Sequence, residues 1–452
     1  MKYFVKDLEK ILNAKKINLV DNKEITGIAI DSRKVKEGDL FIPFLGENVD
    51  GHDYIESAFE KGAVASLSLK DDFKSGNNII YVNDSYEAIQ TLAKHYLECL
   101  NVKIVAITGS NGKTTTKDIV TSILETKFKV HKTQGNFNNE LGVPLTILAA
   151  PEDSDILVLE MGADNFGQLD FLSKLVKPDY TIITNIGESH IEFFGSRAGI
   201  AKAKFEITNG MKKDGFFVYN GDELLLKELV ENSSINATSC GENSYNDIIL
   251  ENYTITRDKI DFKLNIDKNS FSTTLKGKHN LFNLMFAVAI AKKIGLANEE
   301  IHHAIDNISK ITNMRLESIT YGEDSLIIND AYNASPTSMK AAVDVISDLN
   351  DFEFKTLVLG SMFELGPNEV EYHSGIGTYI NNNSRGINLV ISVGALAKNI
   401  TDNINNKDIN TLHFSTVEEV TDYLKANKHK NEVILFKASR SMKLETIIND
   451  IK

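Results

Sequence analysis

The stretch that decides the fold is IVAITGSNGKTTT, residues 104–116, where an apolar run enters a glycine-containing loop and a helical pattern follows. Glycines let backbone N–H groups turn toward an anion, and the start of a helix adds partial positive charge. Lys113 can reach the phosphates of a nucleotide, and Thr114 can bind magnesium. The common GxxxxGK[ST] loop would place a glycine at Ile107, so this loop is a shortened form. We predict a phosphate-binding loop that takes ATP, rather than a turn with an incidental lysine.

Similar apolar runs continue outward from this loop. VKIVAIT, DILVLE and DYTIITN each end abruptly in a Gly, Asn or acidic position, with helical patterns between them. Such runs are typical of a parallel sheet buried on both faces, and the β, α, β, α order favours a doubly wound arrangement. Residues 243–275 instead alternate polar and apolar positions, which predicts antiparallel strands with one wet face. Helical patterns at 280–294 and 298–308 close this region.

The flanking regions also have an α/β pattern. Residues 1–100 alternate short strand-like and helical pieces, which indicates a small layered unit. From SLIINDAYN to EVILFKASRS, a third series of strands and helices resembles a dinucleotide-binding fold. We therefore predict an α/β protein of three domains, with a small amino-terminal domain (1–100), a central P-loop-type ATPase domain with a mainly parallel sheet (101–312) and a carboxy-terminal Rossmann-like domain (313–452).

The composition narrows the class of function. The 452 residues are 42% hydrophobic and 25% charged, as in ordinary globular proteins, and the 49 basic against 63 acidic residues leave a net charge of −14. Nucleic-acid binding as the main activity is therefore disfavoured. The two cysteines, Cys99 and Cys240, lack zinc or disulfide spacing. Without a signal peptide or a long apolar stretch, we expect a soluble cytoplasmic protein that does not insert into membranes.

Polar side chains follow two further strands of the predicted central sheet. Glu160 ends DILVLE, at the edge where α/β folds assemble their sites, and its carboxylate can hold Mg²⁺. His190 follows TIITN by a short loop, with Asn185 nearby, and suits metal binding or acid–base chemistry. Taken alone, a solvated acid and a surface or packing histidine are the more common interpretations. Their position beside a phosphate loop favours a functional role for both residues.

Four motifs together carry a resemblance. TGSNGKTT, EMGA, NIGESH and AKAKFEI, in this order, resemble the central domain of the Mur ligase family, ATP-dependent enzymes that extend the peptidoglycan precursor. The shortened phosphate loop is that family's form. GIAIDSRKVKEGDLFIPFLGENVDGHDYI, TQGNFNNELGVPLT, KGKHNLFN, NDAYNASPTSM, LGSMFELG and KASRSMKLE further resemble the branch of the family that adds a dipeptide, over residues 25–446.

The resemblance implies an activity and its reactants. It implies an ATP-dependent amide ligase, forming ADP and phosphate, that joins D-alanyl-D-alanine to UDP-N-acetylmuramoyl-tripeptide through an acyl phosphate. This is the last cytoplasmic peptide addition of peptidoglycan precursor synthesis, on which cell wall, cell shape and cell division depend. ATP and two Mg²⁺ ions are expected, with small-molecule substrates, no nucleic acid, and a monomeric chain.

The resemblance also implies roles for the nucleotide-binding and metal-binding residues. The ATP site would comprise the loop and residues that approach it from the carboxy-terminal side: Gly109, Ser110, Asn111, Gly112, Lys113, Thr114, Thr115, Asn283, Arg315, Asp330 and Asn333. Lys113, His190 and Lys204 would be catalytic. Metal would be held by Thr114, Glu160, His190 and Lys204, the last of these as a carbamylated lysine.

Further roles concern the uridine nucleotide and the muramoyl peptide. The residues implied are Ser32, Arg33, Gly46, Asp50, Gly51, His52, Asn136, Asn138 and Asn139. Two positions depart from the family pattern: Ser361 stands where Asp is common, and Ala438 where Gly is usual. Both concern recognition of the dipeptide.

Alternatives stay open at this point. A sister ligase that adds the third amino acid is disfavoured because no DNPR-type signature occurs, and a folylpolyglutamate-type ligase is a second relative. A nucleotide-dependent switch with little turnover and a dinucleotide-dependent dehydrogenase are alternatives from other classes. The dehydrogenase ranks last, because no GxGxxG follows the first strand of either α/β unit.

Overall fold

The computed structural model describes residues 1–71, 73, 76–256, 258–308, 312–322 and 324–452. Within this described part of the chain, the strands form a five-stranded, a nine-stranded and a six-stranded sheet, with one further two-stranded pair. The predicted α/β class is confirmed. None of the helices in the described residues combines the length and the apolar character that a membrane span needs.

The amino-terminal sheet has the order β2-β7-β6-β5-β4, and β1 pairs with β3. Its neighbours β4 to β7 are parallel, whereas β2 joins β7 antiparallel. The strands and helices are β1 (Tyr3–Phe4), α1 (Val5–Ile11), β2 (Lys16–Asn18), β3 (Glu24–Ile25), β4 (Gly27–Ala29), β5 (Asp39–Phe41), α2 (Ile55–Glu60), β6 (Ala65–Ser68), β7 (Ile79–Tyr81) and α3 (Ser85–Cys99).

The central sheet has the order β16-β15-β14-β13-β12-β11-β8-β10-β9. Its elements are β8 (Lys103–Thr108), α4 (Lys113–Leu124), β9 (Val130–Lys132), α5 (Gly142–Leu148), β10 (Ile156–Glu160), α6 (Gln168–Val176), β11 (Tyr180–Ile183), α7 (Ile191–Phe194), α8 (Arg197–Phe205), β12 (Phe216–Asn220), α9 (Leu224–Glu231), β13 (Ala237–Gly241), β14 (Ile248–Ile255), β15 (Ile260–Leu264), β16 (Phe271–Thr273), α10 (His279–Ile294) and α11 (Asn298–Asp306).

The carboxy-terminal sheet has the order β17-β18-β22-β19-β20-β21, parallel except for β17. Its elements are β17 (Glu317–Tyr321), β18 (Ser325–Asn329), α12 (Pro336–Asp348), β19 (Phe354–Gly360), α13 (Glu369–Asn383), β20 (Leu389–Val393), α14 (Lys398–Thr401), β21 (Asn410–Phe414), α15 (Val417–Ala426), β22 (Glu432–Lys437) and α16 (Glu445–Ile451).

The alternating segment 243–275 forms antiparallel strands, as predicted, but it does not stand apart. β14 pairs in parallel with β13 on one side and antiparallel with β15 on the other. The wet-faced hairpin therefore extends the buried parallel sheet. The polar outward positions of β14, such as Glu251 and Asn252, are exposed at this sheet end, which explains the change of pattern in the sequence.

The hydrophobic cores are distributed differently among the three sheets. One continuous core runs from Val5 in the amino-terminal domain to Leu226 in the central domain and includes buried residues of both α3 and α5. The carboxy-terminal sheet has its own cores on its two faces. The carboxyl ends of β8, β10 and β11 lie together because these strands are parallel neighbours, so the loops that follow them meet at one edge.

Candidate active site

The phosphate loop connects β8 to α4 in the geometry that the sequence predicts. Gly109 and Gly112 have φ angles of 149° and 81°, a region that other residues rarely adopt. A Cβ atom at Gly109 would overlap Thr184 Oγ1, and one at Gly112 would lie 2.9 Å from Asn283 Oδ1. Both glycines are therefore required by conformation and by space.

The neighbouring strand end fixes the loop in place. Asn185, which follows β11, accepts the Ser110 N–H through its carbonyl at 3.0 Å and the Asn111 N–H through its side-chain oxygen at 2.9 Å. Thr184 donates its hydroxyl to the Asn111 carbonyl at 2.5 Å. The β11 end thus shapes the loop, so Asn185 has a positioning role that was only noted as nearby in the sequence.

Three buried polar atoms at the loop have no hydrogen-bond partner among the described residues. They are Thr108 Oγ1, Ser110 Oγ and Asn111 Nδ2. Unpartnered buried polar groups cost free energy unless a ligand or water satisfies them. Their position beside a helix start suits an anion that accepts hydrogen bonds, as a phosphate does.

Lys113 is folded back over the loop. Its Nζ donates to the Gly109 carbonyl at 2.7 Å. Burial lowers the pKa of Lys113; the Glu160 carboxylate opposes this shift, whereas the Arg315 guanidinium adds to it. The side chain therefore lies among the predicted site residues of three segments, where a phosphate would replace the carbonyl as its partner.

Asn283 supports the loop from α10. It is buried, accepts the Thr116 hydroxyl at 3.1 Å and donates to Asn280 Oδ1 at 2.8 Å. These contacts fasten α10 to the first turns of α4. Thr115, also predicted at the nucleotide, is buried on the same part of α4.

Glu160 ends β10 with its carboxylate buried at the site. Asn138 Nδ2 donates to Oε1 at 2.9 Å, and the Glu160 N–H donates to Thr133 Oγ1 at 3.0 Å. The other oxygen, Oε2, has no hydrogen-bond partner in the described residues, and Lys117 Nζ is 3.9 Å from it. Asn138 thus orients one oxygen and leaves the second available.

His190 precedes α7 with a φ of 61°. Its Nδ1 lies 2.6 Å from Glu364 Oε2 of the carboxy-terminal domain, without the alignment of a hydrogen bond. Burial lowers the pKa of His190; Glu364 opposes the shift, and Lys113 and Lys204 reinforce it. The ring therefore sits between the two domains with its neutral form favoured.

Lys204 is the least ordinary side chain of the site. It is 1% exposed on α8, whereas Lys202, two positions before it, is exposed. No described residue forms an ion pair with its ammonium group. Burial, reinforced by Lys113, lowers the pKa of Lys204 well below its usual value. Burial of this kind favours the uncharged amine, which is the form that can react as a nucleophile.

The residues present fit a magnesium ion bound with a nucleotide. Magnesium prefers oxygen ligands and keeps several from phosphate or water. Glu160 Oε2 is a buried oxygen without a hydrogen-bond partner in the described part of the chain, and the Thr114 hydroxyl lies at the start of α4. Within the described residues, no group of three or more His, Cys, Asp or Glu side chains gathers as a ligand set. Phosphate oxygens and water would therefore supply most of the coordination.

Arg315 reaches the loop from the carboxy-terminal side. Its Nη2 is 3.4 Å from Thr114 Oγ1, and its guanidinium carbon lies 4.1 Å from the ring centroid of Tyr332. Its Nε is buried without a hydrogen-bond partner among the described residues. Stacking on Tyr332 leaves the guanidinium edge free to meet a phosphate.

Asp330 and Asn333, predicted near the nucleotide, follow β18. Lys437, buried at the end of β22, donates to Asp330 Oδ2 at 2.6 Å and to the Asn333 carbonyl at 3.0 Å. The Asn333 side chain accepts the Ala334 N–H at 2.9 Å. Lys437 therefore holds the loop after β18 in a fixed position.

The start of α12 docks on the phosphate loop through polar contacts. Ser335 donates its hydroxyl to Asn111 Oδ1 at 3.2 Å. Thr337 donates both its N–H and its hydroxyl to Glu188 Oε2, at 3.1 and 2.6 Å. Two loops of the central domain thus meet one helix end of the carboxy-terminal domain.

A cavity of about 310 Å³ lies between these domains. The central domain supplies Ser189 and His190, and the rest of the lining follows β18, β19 and β22. Those remaining lining residues are Tyr332, Asn333, Ala334, Ser335, Phe363, Glu364, Leu365, Ser439, Arg440 and Ser441. The cavity therefore adjoins the carboxyl edges of both sheets, and its walls carry charges of both signs.

The predicted uridine-nucleotide residues form a separate group in the amino-terminal domain. Arg33 donates from Nε and Nη2 to the two oxygens of Asp31, both at 2.9 Å, and its side chain is 84% exposed. Its guanidinium lowers the pKa of Asp31 to about 2. Ser32 belongs to the same short 3-10 turn. The pairing with Asp31 therefore holds the Arg33 guanidinium in an exposed position.

The remaining amino-terminal residues shape a loop. His52 is buried: its Nδ1 lies 2.6 Å from Asp50 Oδ1, and its Nε2 accepts the Leu69 N–H at 3.0 Å. A Cβ atom at Gly51 would lie 2.8 Å from Phe44 backbone atoms, and Gly46 donates its N–H to Val49. His52 thus fixes the loop and does not present its ring.

Of the three asparagines predicted on the muramoyl-peptide path, two have local roles. Asn138 orients Glu160, as above. Asn139 Oδ1 accepts the N–H groups of Leu141 and Gly142 at 3.3 and 2.8 Å, at the start of α5. Asn136 is exposed. The side chain of Asn139 is thus already engaged.

Sequence reasoning missed several residues of this site. Thr184, Tyr332 and Glu364 contact predicted residues although no motif spacing singled them out, and Thr337 donates to Glu188 in the loop that contains His190. Only Glu364 could have been suspected from the sequence, because it is a charged residue a few positions after the apolar run of β19. The others are revealed only when strands distant in sequence are brought together.

Comparisons with known proteins agree with this geometry. The Mur ligase middle-domain model matches residues 107–291, the Mur ligase glutamate ligase domain model residues 314–440, and the Mur ligase family catalytic-domain model residues 24–98. The UDP-N-acetylmuramoyl-tripeptide–D-alanyl-D-alanine ligase of Bacillus subtilis (strain 168) is 43% identical over 437 residues, which cover 94% of this chain and 93% of that protein.

Solved structures extend the likeness to the whole chain. A crystal structure of MurF from Acinetobacter baumannii is 27% identical with a TM-score of 0.90, covering 100% of this chain and 99% of that one. MurF ligase from Thermotoga maritima in complex with ADP is 28% identical with a TM-score of 0.83, covering 94% and 96%. From its phosphate loop, its three domains and these matches, the chain belongs to the Mur ligase family.

Proposed function

We propose that the chain joins D-alanyl-D-alanine to UDP-N-acetylmuramoyl-tripeptide with consumption of ATP. The observation that supports this most strongly is the phosphate loop, where Ser110 Oγ and Asn111 Nδ2 are buried without a hydrogen-bond partner among the described residues. The cavity between the central and carboxy-terminal domains, with charges of both signs on its walls, adds to this support. The relative from Bacillus subtilis carries this activity in its name, and the Thermotoga maritima ligase binds ADP. The reaction completes the peptide of the peptidoglycan precursor.

The chemistry proceeds through an acyl phosphate. The terminal carboxylate of the tripeptide attacks the γ-phosphorus of ATP, and ADP leaves. The dipeptide amine then attacks the acyl carbon, loses a proton and expels inorganic phosphate. Carboxylates are poor electrophiles, and the phosphoryl group supplies the leaving group that amide formation needs.

The chain's own residues position and neutralise these groups. Lys113 and Arg315 approach the loop from two domains and would hold the β- and γ-phosphates. Magnesium supplies further charge neutralisation on the phosphates when bound, with Glu160 and Thr114 as the residues that would hold it. His190, between the domains, would contribute to the same metal region.

Lys204 suits a carbamate. In its uncharged form the buried Nζ would form a bond to the carbon of CO₂ and release one proton, which leaves an anionic carboxylate in place of the amine. Such a group would offset the charge of Lys113 and a second magnesium ion. The expected test is Lys204→Ala, which should abolish turnover, with partial recovery on addition of short carboxylic acids. Unchanged turnover in this variant would contradict the assignment.

The cavity between the central and carboxy-terminal domains suits a zwitterionic dipeptide. Glu364 offers a carboxylate for an ammonium group, and Arg440 offers a guanidinium for a terminal carboxylate, although Arg440 also pairs with Glu445 at 2.5 Å. Ser361 and Ala438 are buried, and Ser439 of the cavity lining donates its N–H to the Ser361 carbonyl. Because a Cβ at Gly360 would lie 2.6 Å from the Ala438 methyl, this departure from the family pattern is accommodated by a glycine opposite.

Three ligands would then occupy three domains. We assign the uridine end to residues 1–100, ATP and metal to 101–312, and the dipeptide to 313–452, so that the reacting groups meet at the domain junctions. In the amino-terminal domain the exposed Arg33 would reach the diphosphate. Residues Asn136 and Asn138 would lie on the path of the muramoyl peptide toward Glu160.

The decisive experiment is mass spectrometry of the products formed from UDP-muramoyl tripeptides, ATP and D-Ala-D-Ala. Omission of any one substrate should abolish the pentapeptide product, and phosphate release should depend on both peptide substrates. Parallel reactions of a UDP-muramoyl dipeptide with single amino acids test the sister ligase, and reactions of a folate with glutamate test the folylpolyglutamate-type activity. ATP binding without amide formation from any muramoyl peptide would favour a nucleotide-dependent switch.

A further inference from the structure

Asp118 is a buried carboxylate on α4, the helix that begins at the phosphate loop, and it is 3% exposed. Its Oδ2 accepts both the N–H and the hydroxyl of Thr312, at 2.9 and 2.6 Å. Thr312 opens the described segment that leads into β17 of the carboxy-terminal domain. A helix of one domain is thus fastened to the entry of the next.

Two lysines keep this carboxylate charged. Lys132 Nζ donates to Asp118 Oδ1 at 2.8 Å, and Lys117 Nζ lies 3.6 Å from the same oxygen. Burial alone would raise the pKa of Asp118, but Lys117, Lys132 and Thr312 together hold it below its usual value. Charge-assisted hydrogen bonds of this kind are shorter and stronger than neutral ones.

The same helix face carries a second contact with the same segment. Thr114 and Asp118 are four residues apart on α4, so they lie on one face, about one helical turn from each other. Asp118 fastens Thr312, and Thr114 Oγ1 lies 3.4 Å from Nη2 of Arg315, three residues later. The segment from Thr312 to Arg315 therefore runs back along α4 toward the phosphate loop.

We propose that Asp118, through Thr312, is a positioning residue for Arg315. In this inference, which rests on the proposed function, the two hydrogen bonds to Thr312 fix where the segment starts. They thereby set where the guanidinium meets the phosphates.

The other support of Arg315 comes from its own domain. Tyr332 stacks on the guanidinium but belongs to the loop after β18, so it moves with the carboxy-terminal domain. Ser335 connects the carboxy-terminal domain to Asn111 of the phosphate loop, whereas the contacts of Thr312 and Arg315 with α4 connect the segment that carries the guanidinium. The Asp118–Thr312 pair provides this link one helical turn from the phosphate loop, so it does not compete with a nucleotide for hydrogen bonds.

The test uses the full chain and four variants. Thr312→Val removes the hydroxyl donor and keeps the shape, and Thr312→Ser keeps the donor. Asp118→Asn removes the charge, and Arg315→Ala removes the group being positioned. Thr121→Val is the matched control, because Thr121 is a buried threonine on α4 whose hydroxyl donates only within the helix, to the Lys117 carbonyl at 2.8 Å.

The expected results separate positioning from simple stability. Arg315→Ala should lower kcat by about 100-fold or more, as loss of an arginine on a transferring phosphoryl group does. Asp118→Asn should lower kcat by about 10- to 100-fold and Thr312→Val by about tenfold, with little change in KM for the dipeptide. Thr312→Ser and Thr121→Val should keep kcat within about twofold of the wild-type chain.

Double variants decide whether Thr312 acts through Arg315. In the Arg315→Ala background, Thr312→Val should have almost no further effect on kcat, since the group that it positions is gone. Additive losses, or a wild-type kcat in Thr312→Val, would overturn the proposal. If Asp118→Asn fails to fold, the milder Thr312→Val and its serine control still decide.

A turnover-independent readout separates this inference from the proposed function. Calorimetric affinity for a non-hydrolysed ATP analogue, measured on the same variants, should show the same non-additivity between positions 312 and 315. Non-additive binding without amide formation by the wild-type chain would overturn the proposed function alone. Amide formation with additive effects would overturn the positioning role alone.

Discussion

The central domain meets its two neighbours in opposite ways. Toward the amino terminus it shares one apolar core, in which buried residues of α3 and α5 belong to the same cluster and Tyr96 donates its hydroxyl to the Ala150 carbonyl at 2.8 Å. Toward the carboxy terminus the described contacts are mainly polar, and of the described central residues only Ile191 borders the carboxy-terminal cores. Ser335, Thr337 and Glu364 make these contacts through hydrogen bonds and charge.

The difference indicates which junction moves. A large apolar interface resists separation because exposing it to water costs free energy, whereas a polar interface exchanges its hydrogen bonds for water at little net cost. The amino-terminal and central domains should therefore behave as one body, and the carboxy-terminal domain should open and close over the phosphate loop. Closure would exclude water, which would otherwise hydrolyse an acyl phosphate.

The largest expected effect is a loss of turnover that leaves the fold of the amino-terminal and central domains unchanged. Lys113→Ala should lower the rate of phosphate release by about 1000-fold or more, because it removes a buried charge from the transferring phosphoryl group. Binding of the UDP-muramoyl peptide, measured by calorimetry, should stay within about threefold, since the amino-terminal domain folds unchanged. Lys127→Ala, at an exposed lysine just beyond α4, is the control. A joint loss of binding and turnover would contradict the separation.

The next effect concerns the apolar junction. Ile147→Ala, at a fully buried position of α5 in the shared core, should destabilise the chain by about 2–5 kcal/mol through lost burial and a cavity. Thermal unfolding should shift accordingly, while kcat at 25 °C should change little. Ile147→Val should cost about 1 kcal/mol. Unchanged stability with reduced kcat would instead place this junction among the moving parts.

A smaller effect depends on pH at the polar junction. Burial lowers the pKa of His279 to about 4, with Asp330 opposing and Lys437 reinforcing the shift. Unfolded histidine takes up its proton near 6.5, so between pH 6.5 and 4 the unfolded state binds more protons and stability falls as pH falls. His279→Gln should remove on the order of 1–2 kcal/mol of this dependence, a figure reduced because the ring is half-buried.

Thermal midpoints measured from pH 7 to pH 4 test this. The thermal midpoint of the wild-type chain should fall more steeply between pH 6.5 and pH 4 than that of His279→Gln. His303→Gln, at an exposed histidine of α11, should follow the wild-type curve. Parallel curves for all three proteins would show that His279 does not carry the dependence.

The smallest effect is expected from one hydrogen bond of the polar junction. Thr337→Val removes the hydroxyl that donates to Glu188 and keeps the N–H donor, so stability should fall by about 1 kcal/mol or less. Turnover should fall about threefold as the closed arrangement becomes less populated. Thr337→Ser should behave as the wild-type chain. A stability loss like that of Ile147→Ala, with unchanged turnover, would erase the contrast between the two junctions.

The local parts of this site were predictable from sequence. A phosphate loop is written in consecutive residues, because strand, glycines, Lys113 and the start of α4 follow one another within a single stretch. Glu160 was predictable because parallel strands end at a common edge, and the hydrophobic run of β10 marks where it ends. Helical spacing places Lys202 and Lys204 on different sides of α8, but it does not indicate which of the two is buried.

The remaining parts depend on contacts between distant segments. Nothing in the residues around Asp118 indicates that Thr312, 194 positions away, donates to it. The orientation of Glu160 by Asn138 and the contact of His190 with Glu364 arise from loop conformations, including two positive φ angles, that no periodic pattern encodes. The parallel pairing of β14 with β13 was also hidden, because the polarity pattern predicted the antiparallel strands but not which strand of the buried sheet they join.

The crowding of Gly109 against Thr184 has a consequence for inherited variation. Any substitution at position 109 meets both a disfavoured backbone conformation and the side chain of Thr184. Trimming Thr184 would remove the second obstacle and lose the hydroxyl that holds Asn111. We therefore expect neither a single substitution at Gly109 nor a pair of substitutions at positions 109 and 184 to preserve the loop. An inhibitor resting on that bare stretch of backbone would leave a population of cells few routes to resistance there.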